Sequence, residues 1–377
     1  MPFVNLTSMR VGIVAESIYG FVSGAAIFTK RLIGQLSPHV EKVVVITAGE
    51  KKAVKTRGNR KIYFFPELKL SRLKKFPIAL FKFKAIKEIM EKEKLDILHI
   101  QLPSPLCVAA LFFARKMKMP VMITSHTQPE NVLGNLNIKS HRAKKTFYRY
   151  VTAIYNLTDC VVCPSKYAKK ELLLHKLKKS KDIEIISNGI DIDYFVPGKP
   201  KKIILFVGRI MKEKDIPTLI RASAIVSKTH PDYRFIIAGA GYLEDELKKL
   251  ASEINPSVIF TGKVSDKKLL RLYQSASIFV LPSESELQGL VLLEAMSCGV
   301  PTIASDSKTS AARELANFLF RHGSEKDLAR KINFLIENPK IADRLRKENR
   351  KYILKEHSIK KLIFSYINAY KRVIKNG

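Results

Sequence analysis

The 377-residue chain has only four cysteines, no long apolar run, and about half as many acidic as basic side chains. Four cysteines are too few for a disulfide framework. Cys160–Cys163 reads as a short buried strand, so we expect structural thiols in a reducing compartment. The longest apolar run, Leu106 to Ala114, is well short of the roughly 18 residues of a membrane-spanning helix. The N-terminal sequence MPFVNLTSMR lacks a charged-then-apolar leader pattern. We therefore expect a cytoplasmic protein that neither spans a membrane nor is secreted.

The shortage of acids leaves a formal net charge of +33, from 67 Lys and Arg against 34 Asp and Glu. Residues 1–150 carry 27 basic and 9 acidic side chains, and residues 51–90 carry 13 and 2. Ser71–Met90 and Lys139–Tyr150 interleave lysine and arginine with apolar and aromatic residues, which is typical of basic amphipathic helices at an anionic membrane surface. The alternative is a solvated helix whose apolar stripe faces the core. A positive field of this size favours an anionic partner, whereas a lysine-rich proteome would explain the lysines but not the shortage of acids.

Short apolar segments alternate with amphipathic helical patterns along the whole chain. Strands separated by helices of this length predict parallel sheets built from βαβ units, and there are enough strands for two sheets. We therefore predict an α/β protein with two doubly wound, Rossmann-like domains. The strand segments are Val11–Ala15, Val43–Thr47, Asp96–Gln101, Val121–Ser125, Cys160–Cys163, Glu184–Ile186, Ile203–Val207, Arg234–Ala238, Val258–Phe260, Ile278–Leu281 and Thr302–Ala304.

A segment of linker composition, Tyr194–Lys202 (YFVPGKPKK), separates the two series of strands. We predict an N-terminal domain over residues 1–198 and a C-terminal domain over 199–377. The last helix, Ile359–Lys375, can pack on either domain.

The residues after the apolar segment Ile278–Leu281 form the most informative cluster. Glu286 and Glu294 are eight residues apart, with Gly289 between them and a helix-forming run directly after it. Glu286 then lies in a loop and Glu294 about one turn into a helix, whose N-terminal amides favour an anion. The functional interpretation is a diphosphate at the helix end with sugar hydroxyls on the carboxylates. The alternative, an acid that only favours the helix dipole, explains Glu286 better than Glu294.

A second cluster, Gly208–Lys214, directly follows the apolar segment Ile203–Val207. Ligands bind at the carboxyl ends of strands in open α/β sheets. Arg209 and Lys214 are therefore placed to converge on one phosphate group, which a guanidinium binds through two parallel hydrogen bonds. Basic residues are abundant in this chain, so this cluster is less specific than the first.

Together the two clusters, and the segment Phe260–Ser283 between them, resemble the large family 4 of retaining GT-B glycosyltransferases. The resemblance covers roughly residues 9–315. It departs from the family at Asp215, where glycine is usual, and at Ala238–Tyr242, which replaces a more polar glycine loop. First-half segments in the family's order are Asp96–His99, Pro120–Asn131, Cys163–Ser165 and Ser187–Asp191.

The resemblance implies a GT-B fold, with the two domains facing a cleft, and a role for each matching residue. Arg209 and Lys214 would bind the donor diphosphate, and Glu294 would hold the ribose hydroxyls. Glu286 would contact the transferred hexose, and His126 would face the sugar and β-phosphate from the first domain. The remaining donor contacts would come from Gly24, whose loop approaches the diphosphate, from the backbone near Val264, which reads the base, and from the backbone of Gly289, Leu290 and Val291 at the phosphate site.

Two histidines and two aspartates need a second interpretation. A histidine at a strand end is more often structural, and only the family match favours a substrate contact for His126; His99 fits either role equally. Asp191 and Asp193 imitate the metal-binding DxD motif of the other major glycosyltransferase fold, but they follow Asn-Gly in a turn. No other cluster has metal-ligand spacing. We therefore expect no metal and no cofactor, with a UDP- or GDP-hexose as donor substrate.

The implied activity is retaining, metal-independent transfer of a hexosyl group to an acceptor hydroxyl. Glu286–Leu290, His126–Asn131 and the basic first domain resemble lipid-modifying members such as diacylglycerol glucosyltransferases and phosphatidylinositol mannosyltransferases. We therefore expect a membrane-lipid acceptor and a peripheral position on the inner face of the cell membrane; the alternative acceptor is a soluble or polyprenyl-linked glycan. Outside this class stand a nucleotide-sugar epimerase and a non-catalytic nucleic-acid or anion binder. Neither requires the paired acids, and no RNA-binding motif is present, so nucleic acid is not expected as a partner.

Overall fold

The computed structural model describes residues 7–19, 23–68, 78–126, 128, 133, 140–178 and 182–376. The strands are β1 (Thr7–Val14), β2 (Val40–Gly49), β3 (Ala53–Arg57), β4 (Arg60–Leu68), β5 (Ile78–Ala79), β6 (Ile97–Ile100), β7 (Val121–Thr124), β8 (Cys160–Cys163), β9 (Asp182–Ile185), β10 (Ile203–Val207), β11 (Arg234–Ala238), β12 (Ile259–Gly262), β13 (Ile278–Leu281), β14 (Thr302–Ser305) and β15 (Phe318–Phe320). The α-helices are α1 (Gly24–Leu36), α2 (Phe83–Glu93), α3 (Pro105–Lys116), α4 (His141–Asn156), α5 (Lys166–Leu174), α6 (Ile216–Thr229), α7 (Glu244–Ile254), α8 (Asp266–Ser275), α9 (Leu290–Ser297), α10 (Glu325–Glu337), α11 (Pro339–Glu356) and α12 (Ile359–Asn376).

The chain divides into two compact units. Unit 1 contains the described residues of Met1–Thr127, His141–Asn188 and Ile359–Gly377. Unit 2 contains those of Gln128–Ser140 and Gly189–Ser358.

Unit 1 is built on a nine-stranded sheet in the order β3-β4-β2-β1-β6-β7-β8-β9, with β5 paired to β4. All pairs are parallel except β3 with β4 and β4 with β5. The strand order reverses between β1 and β6, and ligands bind beyond the carboxyl ends of strands at such a point. Helix α12 belongs to this unit, because its Tyr366 and Tyr370 lie in the same core as Phe28 of α1.

Unit 2 is a six-stranded parallel sheet in the order β12-β11-β10-β13-β14-β15. The order reverses between β10 and β13, which are hydrogen-bonded neighbours. Central strands such as β13 are buried on both faces, as parallel strands covered by helices should be. The loops after β10 and β13 are therefore the expected place for a ligand in this unit.

The α/β fold with two doubly wound sheets is confirmed, and every predicted strand segment is a strand or overlaps one. The structure differs over the basic segment Ser71–Met90, which we interpreted as one amphipathic helix. Ile78–Ala79 is a strand, and the helix begins only at Phe83; residues 71–77 lie outside the described part of the chain. In the second basic segment, the helix begins at His141.

The chain passes from unit 1 to unit 2 at Gly189 and returns at Ile359, and unit 2 also includes the described residues of Gln128–Ser140. We predicted a single boundary at residue 199. The linker-like segment lies on unit 2 because Phe195 is buried in that unit's core. Lys201 N also donates to Ser275 O at 2.8 Å. The crossover at Gly189 lies shortly before the linker-like segment Tyr194–Lys202.

Glu93, the last residue of α2, is a buried acid in unit 1. It receives hydrogen bonds from Lys61 Nζ at 2.7 Å and Tyr63 Oη at 2.5 Å, and Lys42 Nζ lies 2.5 Å from its other oxygen. Burial acts to raise the pKa of this carboxyl, but the three donors outweigh it and lower the pKa to about 2. Glu93 thus fixes the end of α2 to β2 and β4.

The four cysteines are free and buried. Burial raises the pKa of the Cys160 and Cys163 thiols to about 12, so neither is a thiolate at neutral pH. Among the described residues, no helix combines the length and apolar character needed to cross a bilayer.

Candidate active site

The loops after β10 and β11 lie against each other at the carboxyl edge of the unit 2 sheet. Gly208 N donates to Ala238 O and Ile210 N to Ala240 O, both at 3.0 Å. Val264, predicted to lie near the donor base, is half-exposed in the next loop, two residues after β12. The predicted donor contacts on Arg209 and Val264 thus lie on the loops after β10 and β12, the two strands that flank β11.

Two glycines permit this close approach. A Cβ atom on Gly239, whose φ is +144°, would lie 1.8 Å from Gly208 O. A Cβ atom on Gly241 would lie 1.9 Å from Ile210 O. The segment Ala238–Tyr242, which departs from the family pattern in polarity, therefore keeps glycine where the backbone that carries Arg209 leaves no room for a side chain.

Arg209 is held by an acid that we did not assign from the sequence. Its Nη2 donates to Glu213 Oε1 at 3.2 Å, and only 7% of the Glu213 side chain is exposed, against 37% for Arg209. The backbone carbonyl of Glu213 also accepts from Glu284 N at 2.8 Å. Glu213 therefore orients the guanidinium and joins this loop to the loop after β13. An acid four residues after a predicted phosphate-binding arginine is the signal that could have found it.

Lys214 and Glu286 form an ion pair across 72 residues of sequence, with Nζ and Oε1 2.5 Å apart. Their side chains are only 12% and 14% exposed. The backbone of Glu286 is also fixed, because Ala311 N donates to its carbonyl at 2.7 Å. The structure thus brings together two residues predicted to contact the diphosphate and the hexose.

Glu294 is the fifth residue of α9 and is buried. Tyr273, which is fully buried, donates from its hydroxyl to Glu294 Oε2 at 3.0 Å. The helix follows Gly289, whose φ of +81° is the left-handed region that favours glycine. Leu290 and Val291 form the first turn, where backbone amides have no acceptor within the helix. The predicted loop position of Glu286 and helical position of Glu294 are as the structure has them.

Asp215 explains one departure from the family pattern. Its backbone is left-handed, with φ and ψ both 44°, which accounts for glycine at this position in relatives of the motif. Asp is tolerated there because it accepts from Thr218 Oγ1 at 2.8 Å, at the start of α6. Burial raises the pKa of this carboxyl.

His126 lies at the carboxyl edge of the unit 1 sheet, two residues after β7. Its Nε2 lies 3.2 Å from Gln101 Oε1, and its ring centroid is 4.9 Å from that of Phe28. Burial lowers the pKa of His126 to about 3, so the imidazole is neutral at physiological pH. Gly24 begins α1, the helix that carries Phe28, and is exposed. Of the motif His126–Asn131, only His126 and Gln128 belong to the described residues.

His99 has a structural role. It is fully buried, with Nδ1 2.7 Å from Tyr370 Oη and Nε2 2.7 Å from Thr124 Oγ1. Burial lowers its pKa to about 3. Both ring nitrogens are therefore committed to β7 and α12.

The Asp191 carboxylate forms a local turn. Its Oδ1 accepts from the backbone amides of Asp193 and Tyr194, each at 3.2 Å, which is the geometry of an Asx turn. In the described part of the chain, no three His, Cys, Asp or Glu side chains are grouped so as to hold a metal ion.

Four charged side chains thus meet at the unit 2 edge as two pairs, and a glutamate on α9 is oriented by a tyrosine. A helix end at the carboxyl edge of a parallel α/β sheet, beside paired basic and acidic side chains, is an arrangement that can hold a diphosphate and sugar hydroxyls, as a nucleotide-sugar glycosyltransferase requires. Comparisons with known proteins agree with this class.

Two family models match successive parts of the chain: Glycosyltransferase Family 4 over residues 22–194 and Glycosyl transferases group 1 over residues 191–352. The chain belongs to family 4 of the GT-B glycosyltransferases and is a hexosyltransferase.

Curated relatives include an alpha-monoglucosyldiacylglycerol synthase of Streptococcus pneumoniae, 29% identical over 78% of this chain and 71% of the relative. A GDP-mannose-dependent alpha-mannosyltransferase of Corynebacterium glutamicum is 28% identical over 78% of this chain and 72% of the relative.

Solved structures agree with the fold. Sucrose-phosphate synthase from Thermosynechococcus elongatus has a TM-score of 0.77 at 20% identity, covering 98% of this chain and 100% of that chain. Anabaena HepE in complex with UDP and glucose has a TM-score of 0.75 at 16% identity, covering 97% of this chain and 100% of that one.

Proposed function

We propose that the protein transfers a hexosyl group from a UDP- or GDP-hexose to the hydroxyl of a membrane lipid, with retention of anomeric configuration and without a metal ion. The observation that carries the proposal is the pairing of Lys214, on the loop that carries Arg209, with Glu286. It joins a cation that would bind the diphosphate directly to a carboxylate that would bind sugar hydroxyls.

Departure of the nucleoside diphosphate places negative charge on the leaving oxygen and positive charge on the sugar ring. Arg209, Lys214 and the first amides of α9 would stabilise the leaving diphosphate. Positive side chains and helix amides can supply this stabilisation, so the reaction needs no metal ion for that purpose. Glu294, oriented by Tyr273, would bind the ribose hydroxyls, and the loop with Val264 would contact the base.

Retention follows if the leaving phosphate oxygen takes the acceptor's proton on the same face of the sugar. The bond from the anomeric carbon to the phosphate oxygen breaks as the bond to the acceptor oxygen forms, and no covalent glycosyl-enzyme is needed. In retaining glycosidases a nucleophilic carboxylate works with a second carboxyl group about 5 Å away that protonates the leaving group, whereas a nucleoside diphosphate leaves without such an acid. Glu286 forms an ion pair with Lys214, and we assign it to the hexose hydroxyls and His126 to a further sugar contact.

The lipid acceptor is supported by two independent observations. One is the similarity to a relative named alpha-monoglucosyldiacylglycerol synthase. The other is an exposed aromatic and basic surface on unit 1, the α2–α3 patch, formed by Phe83, Val108, Phe112 and Lys116. Phe83 and Phe112 are 49% and 43% exposed.

The α2–α3 patch has the chemistry of an interfacial membrane contact. The rings of Phe83 and Phe112 lie 5.4 Å apart, and Lys116 Nζ lies 4.6 Å from the Phe112 ring centroid. Lys82 and Lys84, on either side of Phe83, are exposed. Inserting half a phenyl ring contributes about 2 kcal/mol, and each lysine near an anionic leaflet on the order of 1 kcal/mol. We propose that this surface holds the protein on the inner face of the cell membrane.

The test is a screen of donors against acceptors. Purified protein is given UDP- and GDP-sugars with and without anionic liposomes that contain diacylglycerol and phosphatidylinositol, while nucleoside diphosphate release is followed. Release that requires liposomes supports the lipid acceptor and names the donor. Release with soluble sugars alone assigns the acceptor to glycans, and an isomerised free sugar would indicate an epimerase. Activity in EDTA and the anomeric proton coupling of the product test metal independence and retention.

Co-sedimentation with the same liposomes tests the patch. We expect Phe83→Ser with Phe112→Ser to weaken binding at least tenfold, and Lys116→Glu to weaken it further. Phe334→Ser is the matched control, because Phe334 is 39% exposed and lies on unit 2. Equal binding by the patch variant and the control would refute this docking surface.

A further inference from the structure

Gln101 connects His126 to the body of unit 1. It directly follows β6 and is fully buried. Its Oε1 lies 3.2 Å from His126 Nε2 and 3.4 Å from Thr29 Oγ1. The Thr29 hydroxyl has one proton, and it makes a shorter hydrogen bond, 2.7 Å, to Ala25 O. The strong donor available to the Gln101 oxygen is therefore the imidazole.

This contact determines which ring nitrogen of His126 carries the proton. A neutral imidazole has one N–H group and one acceptor nitrogen. If Nε2 donates to Gln101, the proton is on Nε2 and Nδ1 is the acceptor. His99, the buried neighbour on β6, differs because both of its nitrogens have hydroxyl partners.

The two polar ends of the Gln101 amide differ in their contacts. Its Nε2 is buried and has no hydrogen-bond partner among the described residues, and an unpaired buried donor is unfavourable. The amide group therefore makes its one strong contact through the oxygen that faces His126.

We propose that Gln101 is a positioning residue, which holds His126 in the Nε2–H tautomer so that Nδ1 accepts a hydrogen bond from a hydroxyl of the transferred hexose. The hexose contact rests on the proposed function, whereas the tautomer does not. His126 then acts by orienting the sugar, not as a proton donor.

The tautomer can be measured directly by ¹⁵N–¹H correlation spectra of the protein labelled at its eight histidines. Loss of one set of signals in His126→Asn assigns the resonances of that ring. We expect wild-type His126 to show the protonated-nitrogen shift at Nε2. A proton on Nδ1 would overturn the proposal, whether or not the protein transfers sugar, because the amide of Gln101 would then be donating.

Two substitutions separate positioning from packing. Gln101→Met keeps the length of the side chain but removes the acceptor, so we expect mixed tautomers and at least a tenfold lower kcat at an unchanged KM for the donor. Gln101→Glu keeps an acceptor oxygen, but its carboxylate also raises the pKa of the His126 imidazole, so we expect the Nε2–H form and most of kcat to return at a pH above that pKa. A single tautomer in Gln101→Met, or a loss of kcat that Gln101→Glu does not rescue, would contradict the proposal. If Gln101→Met does not fold, the wild-type and Gln101→Glu spectra decide. Absence of transfer with every donor would refute the proposed function and leave the tautomer measurement valid.

Discussion

Glu286→Gln should tighten the binding of the nucleoside diphosphate while it slows turnover. In the unliganded site the Glu286 carboxylate is 2.5 Å from Lys214 Nζ, so it competes with a diphosphate for that cation. A carboxylate about 5 Å from one phosphate charge, at an effective dielectric constant of about 40, is repelled by roughly 1.5 kcal/mol. Removing the charge without changing the shape should therefore lower Kd about tenfold.

Turnover should change in the opposite direction. If Glu286 holds hydroxyls of the hexose as the ring gains positive charge, the carboxylate makes an interaction that is stronger in the transition state. The neutral amide of Glu286→Gln lacks this interaction. We expect kcat to fall on the order of 100-fold. Lys214→Met should weaken nucleoside diphosphate binding and leave Glu286 as an unpaired, largely buried charge.

The assay is titration calorimetry with UDP and with GDP, beside steady-state kinetics on the preferred donor. Glu284→Gln is the matched control, because it removes one charge from the same loop at an exposed position and should change Kd less than about twofold. Weaker nucleoside diphosphate binding by Glu286→Gln would refute the competition. Unchanged turnover in Glu286→Ala with every donor would refute its assignment to the hexose.

Three further substitutions test the supporting structure. Tyr273→Phe removes the hydrogen bond to Glu294, and calorimetry should show nucleotide affinity about five- to tenfold lower. Gly241→Ala places a Cβ atom 1.9 Å from Ile210 O, so urea denaturation should show a loss of about 1–3 kcal/mol together with weaker donor binding. Glu93 has a pKa of about 2, below its ordinary value of 4.5. The ionised carboxylate therefore contributes about 3 kcal/mol to the free energy of unfolding above pH 4.5, and this contribution is lost as the pH falls toward 2. In Glu93→Gln the contribution should be absent at neutral pH, and the free energy of unfolding should depend less on pH in the acid range.

Each of these variants has a control on the same chain. Tyr233→Phe removes a half-buried tyrosine hydroxyl of unit 2, and it should leave nucleotide affinity unchanged. Gly34→Ala lies inside a helix with no atom near the new methyl group, and it should stabilise by about 1 kcal/mol. Glu91→Gln removes an acid from the exposed side of α2 and should shift the free energy of unfolding by less than about 0.5 kcal/mol. If a control changed the measured affinity or free energy of unfolding as much as its test variant does, the physical reason given for that prediction would be wrong.

The sequence predicted the parts of the fold that depend on local pattern. Strands such as Ile203–Val207 and Ile278–Leu281 are continuous apolar runs that only a sheet buried on both faces accounts for, and their bounds agree with the structure. The segment Ala53–Leu68 was missed because its strands are half-exposed and rich in lysine and arginine. A strand of that kind has neither a long apolar run nor a clean alternation, so the sequence pattern did not indicate it.

Side-chain contacts between residues that are far apart along the chain could not be predicted from the sequence. Arg209, Lys214 and Glu286 were predicted because they follow apolar strand segments, and Glu294 because it lies in the helix after Gly289. The Lys214–Glu286 contact spans 72 residues, and no periodicity reports it. Gln101 carries no sequence signal beyond its position after a strand, because its role depends on Oε1 reaching a histidine 25 residues away.

The pairing of charges also bears on the net charge of +33. Arg209 is paired with Glu213 and Lys214 with Glu286, so these four side chains sum to zero. These four side chains therefore do not contribute to the excess positive charge. It is concentrated in the first 150 residues, with 27 basic against 9 acidic side chains. Exposed phenylalanines stand beside lysine there, on α2 and α3. Both features are those expected of the membrane contact proposed for the α2–α3 patch, because an anionic lipid bilayer also accepts aromatic rings.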